Sequence, residues 1–239
     1  MTTVGTWFKQ LARRAGFDLR RYGLSYDGKT ERYFAQHGIN LVLDVGAHTG
    51  NYARRLRELG YAGRLVSFEP MHDAFAQLQA RAHADPQWTA VKLALGAEDG
   101  RATLNVSGTP MSSSLLEMLP AHRQAAPASA YVATEAVEVR ALDSVFSQYY
   151  RAGDKVFVKL DTQGYEMNVL AGAARSLPSV VGLQTELAFV PLYGGEASIG
   201  QMLEHLGNLG FSLRALTPAF EDAHGRLLQA DALFFREPA

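Results

Sequence analysis

Leu41-Val42-Leu43-Asp44-Val45-Gly46-Ala47-His48-Thr49-Gly50 reads as a buried strand that runs into a tight turn. Three apolar residues precede an acid, and two glycines follow it. Downstream, Tyr52, Leu56 and Leu59 fall at i, i+4 and i+7, with Arg54, Arg55, Arg57 and Glu58 on the other side. That is the spacing of an amphipathic helix, and Gly60 is a good stop for it. Strand, glycine turn and helix N-terminus make a nucleotide-type site, because glycine lets the backbone approach a ligand closely. About twenty residues on, Arg64-Leu65-Val66-Ser67-Phe68-Glu69-Pro70 gives a second strand capped by a carboxylate, placed to take both hydroxyls of a ribose.

The glycine pattern separates two cofactors that fit such a site. A dinucleotide fingerprint is G-x-G-x-x-G, its middle glycine making room for a pyrophosphate. Here the spacing is D-x-G-x-x-x-G with His48 inside it, and no pyrophosphate cradle is evident. Asp44 suits a cofactor with a cationic end, such as the methionyl ammonium of S-adenosylmethionine. Asp44, Gly46, His48, Gly50 and Glu69 are therefore the candidate cofactor residues. The competing reading is a nicotinamide-dependent oxidoreductase or epimerase on the same general fold. Its short-chain form needs Tyr-x-x-x-Lys, and no lysine here has a tyrosine four residues ahead of it.

The run LDVGAHTG, then SFEP, LALG (93 to 96), Ser112-Ser113-Ser114-Leu115, VKLDTQGYEMNVLAGA (158 to 173), Glu186 and LLQADALFFR (227 to 236) resembles the FkbM-type family of S-adenosylmethionine-dependent methyltransferases. The resemblance covers about residues 40 to 236, with one departure, His48, where the pattern has Asn. It implies an α/β fold: a doubly wound, seven-stranded, Rossmann-like class I methyltransferase sheet with a C-terminal hairpin and an inserted β-hairpin/loop before the fourth core strand. It also implies transfer of a methyl group to a hydroxyl, that of a sugar on a glycan, glycolipid or glycosylated natural product. O-methylation of a non-sugar small molecule is the alternative, and a binding protein that keeps the pocket without turnover is a third class.

The rest of the chain divides accordingly into residues 1–40, an N-terminal helical segment packed on the domain, and 41–239, the methyltransferase domain. In the first segment Trp7, Phe8, Leu11, Ala12 and Ala15 share a helical face, with Lys9, Arg13 and Arg14 elsewhere. Packing against the domain is the expected role of that face, and a membrane surface the alternative. A second helix is expected over 29–37. Beyond Glu69 the pattern gives a helix ending at Asp85-Pro86, strands over 89–93, 101–106 and 135–140, and a Ser/Pro/Ala-rich segment over 108–131 able to close over an acceptor. Strands over 156–160 and 180–185 end in Asp161 and Glu186. A helix is expected over 166–177, another around Ile199 to Leu206, and two last strands over 211–216 and 232–235.

Ligands of doubly wound sheets lie at the carboxyl ends of the strands. Asp161 and Glu186 there are the candidate catalytic carboxylates, with Lys159 two residues before Asp161 on the same side of its strand. They could act as a base pair or hold Mg2+ through oxygen ligands, as resemblance to catechol-type O-methyltransferases suggests. Lys159 counts against the metal. Tyr193, Ser113 and His122 are the candidate acceptor-binding residues, and a salt bridge is the expected role of Asp231.

Composition narrows the classes. The 239 residues are 47% hydrophobic, enough for one sizeable α/β domain. A net charge of −1 argues against nucleic acid as the acceptor. The absence of cysteine removes disulfides and thiolate chemistry, and no histidine spacing suits zinc. No apolar run has the length of a membrane span, which points to a soluble, cytoplasmic protein. The oligomeric state stays open, a homodimer included.

Overall fold

The computed structural model describes residues 3–17 and 21–237. Its elements are, in order, α1 (Thr3–Arg14), α2 (Tyr26–His37), β1 (Leu41–Val45), α3 (Asn51–Glu58), β2 (Arg64–Phe68), α4 (His72–Ala82), β3 (Trp88–Val91), β4 (Ala94–Gly96) and β5 (Gly100–Ser107). They continue with α5 (Pro120–Ala125), β6 (Tyr131–Ala141), α6 (Leu142–Val145), β7 (Val156–Leu160), α7 (Glu166–Ala171), β8 (Val180–Ala188), α8 (Ile199–Asn208), β9 (Phe211–Glu221) and β10 (Leu227–Arg236).

Seven strands form one sheet in the order β3-β2-β1-β7-β8-β10-β9. The five from β3 to β8 are parallel, and β10 runs antiparallel to both β8 and β9. Strand order reverses between β1 and β7, so their carboxyl ends flank a crevice. Each face has its own core. Leu41, Leu43, Val158 and Leu160 pack with Val169 of α7 and Leu206 of α8. Val42, Leu65 and Phe157 pack with Phe34 of α2, Leu56 of α3 and Leu78 of α4. The period-two alternation of β1 thus puts Asp44 on the second face, inside an apolar layer.

Several boundaries differ from those read in the sequence. α7 ends at Ala171 rather than 177; residues 166–177 are apolar enough to look helical, but Leu177–Ser179 tighten into a 3-10 turn around Pro178. β8, β9 and β10 all run longer than expected, because their pairing carries β10 past irregularities that break the simple alternation. Instead of a lone hairpin, β5 and β6 join β4 in a separate sheet ordered β4-β6-β5. The 108–131 segment is fastened by two isolated bridges, Asn105 to Ser114 and Met118 to Tyr193. α2 packs as a helix of the domain, its Tyr33 stacked on Phe235. α1 does not show the packing expected of it: Trp7, Phe8 and Leu11 are about half exposed. Among the described residues no helix is long and apolar enough to cross a membrane.

Candidate active site

A cavity of about 570 Å³ opens at the carboxyl ends of β1, β2, β7 and β8 and the amino-terminal half of β10, within the range of small-molecule sites. Its floor is set by the register of the sheet. Ser67, Asp44, Lys159 and Gln184 are aligned across β2, β1, β7 and β8 as one polar row on the α2–α4 side. Above that row, at the strand tips, stand Glu69, Gly46, Asp161 and Glu186, with Asp231 of β10 opposite Glu186.

The lower row holds charge in place. Lys159 Nζ lies 3.0 Å from Asp161 Oδ2 and 3.4 Å from Asp44 Oδ1, and over the Tyr52 ring at 5.2 Å. Burial opposes the lysine charge, but Asp161 and Asp44 outweigh it and raise its pKa above the ordinary lysine value. Ser67 Oγ donates to Asp44 Oδ2 at 3.1 Å and accepts from Trp88 Nε1 at 3.0 Å. Asp44 is fully buried and does not line the cavity. The cofactor role expected of it is corrected: its carboxylate is the counter-ion of Lys159, with no surface left for an ammonium.

The glycine turn also divides. Gly46 has φ 74°, and a Cβ there would stand 1.9 Å from the Asp161 carbonyl oxygen, so β1 and β7 meet here only through glycine. Gly50 does not cradle a ligand. A Cβ on it would strike the Trp88 ring and Leu78, and its requirement is internal packing. His48 sits at φ 49°, the left-handed region in which Asn and His are both enriched, which accounts for the exchange at this position. Its N–H donates to Glu69 Oε2 at 2.7 Å, while Met71 N–H donates to Oε1 at 2.9 Å. Each Glu69 oxygen keeps acceptor capacity toward the cavity. Burial pushes its pKa up to about 7.

The 161–166 loop joins the cofactor side to the acceptor side. Glu166, buried, folds back to accept from Thr162 N–H, Thr162 Oγ1 and Gly164 N–H. Gln163 is held at φ 55°, a strained conformation for a residue with a side chain. Its Nε2 donates to Asp161 Oδ1 at 3.0 Å and to Glu186 Oε2 at 2.9 Å. Asp161 is pulled below the ordinary carboxylate range: burial acts upward, but Lys159 and the hydrogen bonds prevail. Glu186 goes the other way, raised well above it by burial and by Asp161, Glu166 and Asp231. Asp231 is raised to about 6 by burial, then by Asp161, and the salt bridge expected of it is not formed among the described residues.

Tyr193 is not an acceptor-lining residue. It is fully buried, and its hydroxyl donates to Gln163 Oε1 at 2.7 Å, so it positions the amide behind the wall. Ser113 and His122 do line the cavity. Ser113 Oγ accepts from Ser107 N–H, and Ser114 Oγ donates to the Gln163 carbonyl at 2.7 Å, clamping the 108–131 segment onto the loop. Sequence reasoning missed Gln163, Gln184 and Gln229, because neutral amides carry no charge or spacing signal.

Strand order, with an antiparallel strand inserted before the last, and a carboxylate-tipped crevice at the switch point define the class I S-adenosylmethionine-dependent methyltransferases. A family model described as Methyltransferase FkbM domain matches residues 44–213. The chain belongs to that methyltransferase family, which sets the oxidoreductase reading aside. No curated protein matches the chain. Among solved structures it is similar to Methyltransferase FkbM from Methylobacillus flagellatus KT, at 16% identity over 82% of this chain and 43% of that one, TM-score 0.49. This chain therefore spans less than half of that protein's length. Others are magnesium protoporphyrin IX methyltransferase from Synechocystis PCC 6803 with bound SAM (13%, 97% and 92%, TM-score 0.48) and an rRNA methylase from Streptococcus thermophilus (10%, 88% and 95%, TM-score 0.47).

Proposed function

We propose that the acceptor is a sugar hydroxyl, on a glycan, glycolipid or glycosylated natural product, and that Glu186 receives its proton. The observation that carries this reading is a set of buried polar atoms without partners among the described residues. Gln184 Oε1, Gln229 Nε2 and His122 Nδ1 are all in this state on the acceptor side of the cavity at the strand ends, as are His48 Nδ1 and Tyr52 Oη in its lining. Such atoms are costly unless a ligand completes them. Here they include both an acceptor and a donor, beside Asp231 and Glu186. A polyhydroxyl ring, whose hydroxyls both donate and accept, suits that mixture better than a phenol or an aliphatic alcohol.

When bound, S-adenosylmethionine supplies a methyl group on a positively charged sulfur, which the acceptor oxygen displaces in line. Glu69 would take the ribose hydroxyls, and Gly46 with the Ala47–His48 backbone would lie against the cofactor. A sugar hydroxyl is a weak nucleophile until a base accepts its proton, and a base works best with a pKa near the working pH. Glu186 is raised toward that range, whereas Asp161 is held ionised by Lys159. Asp161 acts on Glu186 through its charge, and Gln163 holds the pair in register. Magnesium does not fit this donor set. The Lys159 ammonium stands where a cation would bind Asp161, and no group of three or more His, Asp or Glu among the described residues is arranged for a metal. Turnover is expected to survive EDTA treatment and desalting.

The test is incubation with methyl-labelled cofactor and panels of mono- and oligosaccharides, phenols and RNA. Label on a saccharide hydroxyl is the expected result. Transfer to phenols or RNA, with none to any sugar, rejects the reading.

A further inference from the structure

α1 is an amphipathic helix whose apolar side, among the described residues, is left largely exposed by the domain. Trp7, Phe8 and Leu11 are 58%, 55% and 50% exposed, and past the helix Phe17, Tyr22 and Leu24 are exposed as well. At 3.6 residues per turn those first three fall on one side, with Lys9 and Arg13 opposite and Arg14 at the border. Trp7 and Phe8 pack edge to face within this surface, 5.2 Å between ring centroids.

Charge identifies the partner. Residues 1–25 carry Lys9, Arg13, Arg14, Arg20 and Arg21 against the single acid Asp18, in a chain whose 23 cations and 24 acids otherwise leave the remainder negative. A cationic polar side, a Trp/Phe/Leu side and low overall hydrophobicity are the properties of a helix that lies in a membrane interface. α1 itself carries no acid. A twelve-residue helix is marginal in water by itself, so inserting its apolar side supplies the order that the domain does not. We propose that α1 binds an anionic lipid surface, laying Trp7, Phe8 and Leu11 into the headgroup boundary while its cations meet lipid phosphates.

The chain lends itself to a direct test. It has two tryptophans, and Trp88 is buried at 8% exposure, so a change in emission on binding reports Trp7. The full chain is mixed with vesicles of phosphatidylcholine, or of phosphatidylcholine with one quarter phosphatidylglycerol, and followed by flotation and tryptophan emission. Flotation and a blue shift are expected with the anionic vesicles, weakly with the neutral ones, and reversed by salt. Lys9→Gln combined with Arg14→Gln is expected to lower partitioning roughly 25-fold, at about fivefold per cation. Phe8→Ser with Leu11→Ser is expected to abolish it. Both double variants keep wild-type affinity for S-adenosylhomocysteine, which shows the domain intact. Absence of flotation with anionic vesicles at low salt overturns the proposal. So does a concentration-dependent dimer that the Phe8/Leu11 variant abolishes without any vesicle binding, which assigns the face to a second copy of the chain.

Discussion

Asp161 stands just past the end of β7 and Glu186 near the end of β8, bridged by one amide, yet their surroundings push their pKa values apart. That separation gives a pH-dependent prediction. Glu186→Gln is expected to lower turnover by roughly 10²–10⁴, the range for a lost general base, with cofactor affinity within a few-fold. Turnover of the native enzyme rises with pH until Glu186 has lost its proton. Asp161→Asn removes a charge that raises Glu186, so the acidic limb of the kcat profile moves to lower pH; a limb that stays in place removes Glu186 as the base. Glu69 is tested separately. Glu69→Gln weakens cofactor binding about tenfold or more by calorimetry, since hydrogen bonds to a charged group are worth roughly 1.5–3 kcal/mol, and unchanged affinity takes Glu69 off the ribose. These acids were legible in the sequence because strand period fixes what stands at a strand tip. Asp44 was misread because its partner, Lys159, is brought to it only by pairing of β1 with β7. Gly50 looks like Gly46 in sequence, and only the Trp88 ring against it tells them apart.

At the level of elements, the parallel core was readable because β1 and β7 are short, mostly apolar runs that end at turn residues. The acceptor side was not, since it is built from contacts between distant irregular segments. Tyr193 is an example: its place just past Glu186 suggested a pocket wall, but the Met118–Tyr193 bridge turns it inward, beneath Gln163. Its hydroxyl therefore acts through the amide. Tyr193→Phe removes a hydrogen bond worth about 1 kcal/mol, which lowers Tm by roughly 2–4 °C in a domain of this size. If the bond also orients Gln163 between the two carboxylates, turnover falls about fivefold while cofactor affinity holds. A loss of Tm with unchanged kcat makes Tyr193 a packing residue alone.

Across the whole molecule, the site costs stability that the rest of the fold supplies. Burial raises Glu69 and Glu196 to about 7 and Asp231 to about 6, and it raises Glu186 well above the ordinary carboxylate value. A carboxyl whose pKa is higher folded than unfolded binds more protons in the folded state between the two values, so stability falls as pH rises through that interval. Other acids act in the opposite sense. Burial works against the charges of Asp85, Asp143 and Asp154, but Arg57 with Gln87, Ser176 with Arg175, and Arg64 with Arg151 together outweigh it and lower their pKa values. Their contribution is complete above the ordinary aspartate value and is lost as pH falls through the lowered ones. The ligand-free protein is therefore expected to be most stable in mildly acidic solution, with Tm at pH 5.5 above Tm at pH 8. One group titrating over one pH unit is worth about 1.4 kcal/mol at most, or roughly 3–6 °C here. Glu69→Gln removes one such ionisation and flattens the slope between pH 5 and 7. Thermal melts across pH 4 to 9 decide it: a Tm that climbs steadily to pH 8 means that these buried carboxyls are already ionised in the folded chain, and the proton-accepting role of Glu186 loses its basis.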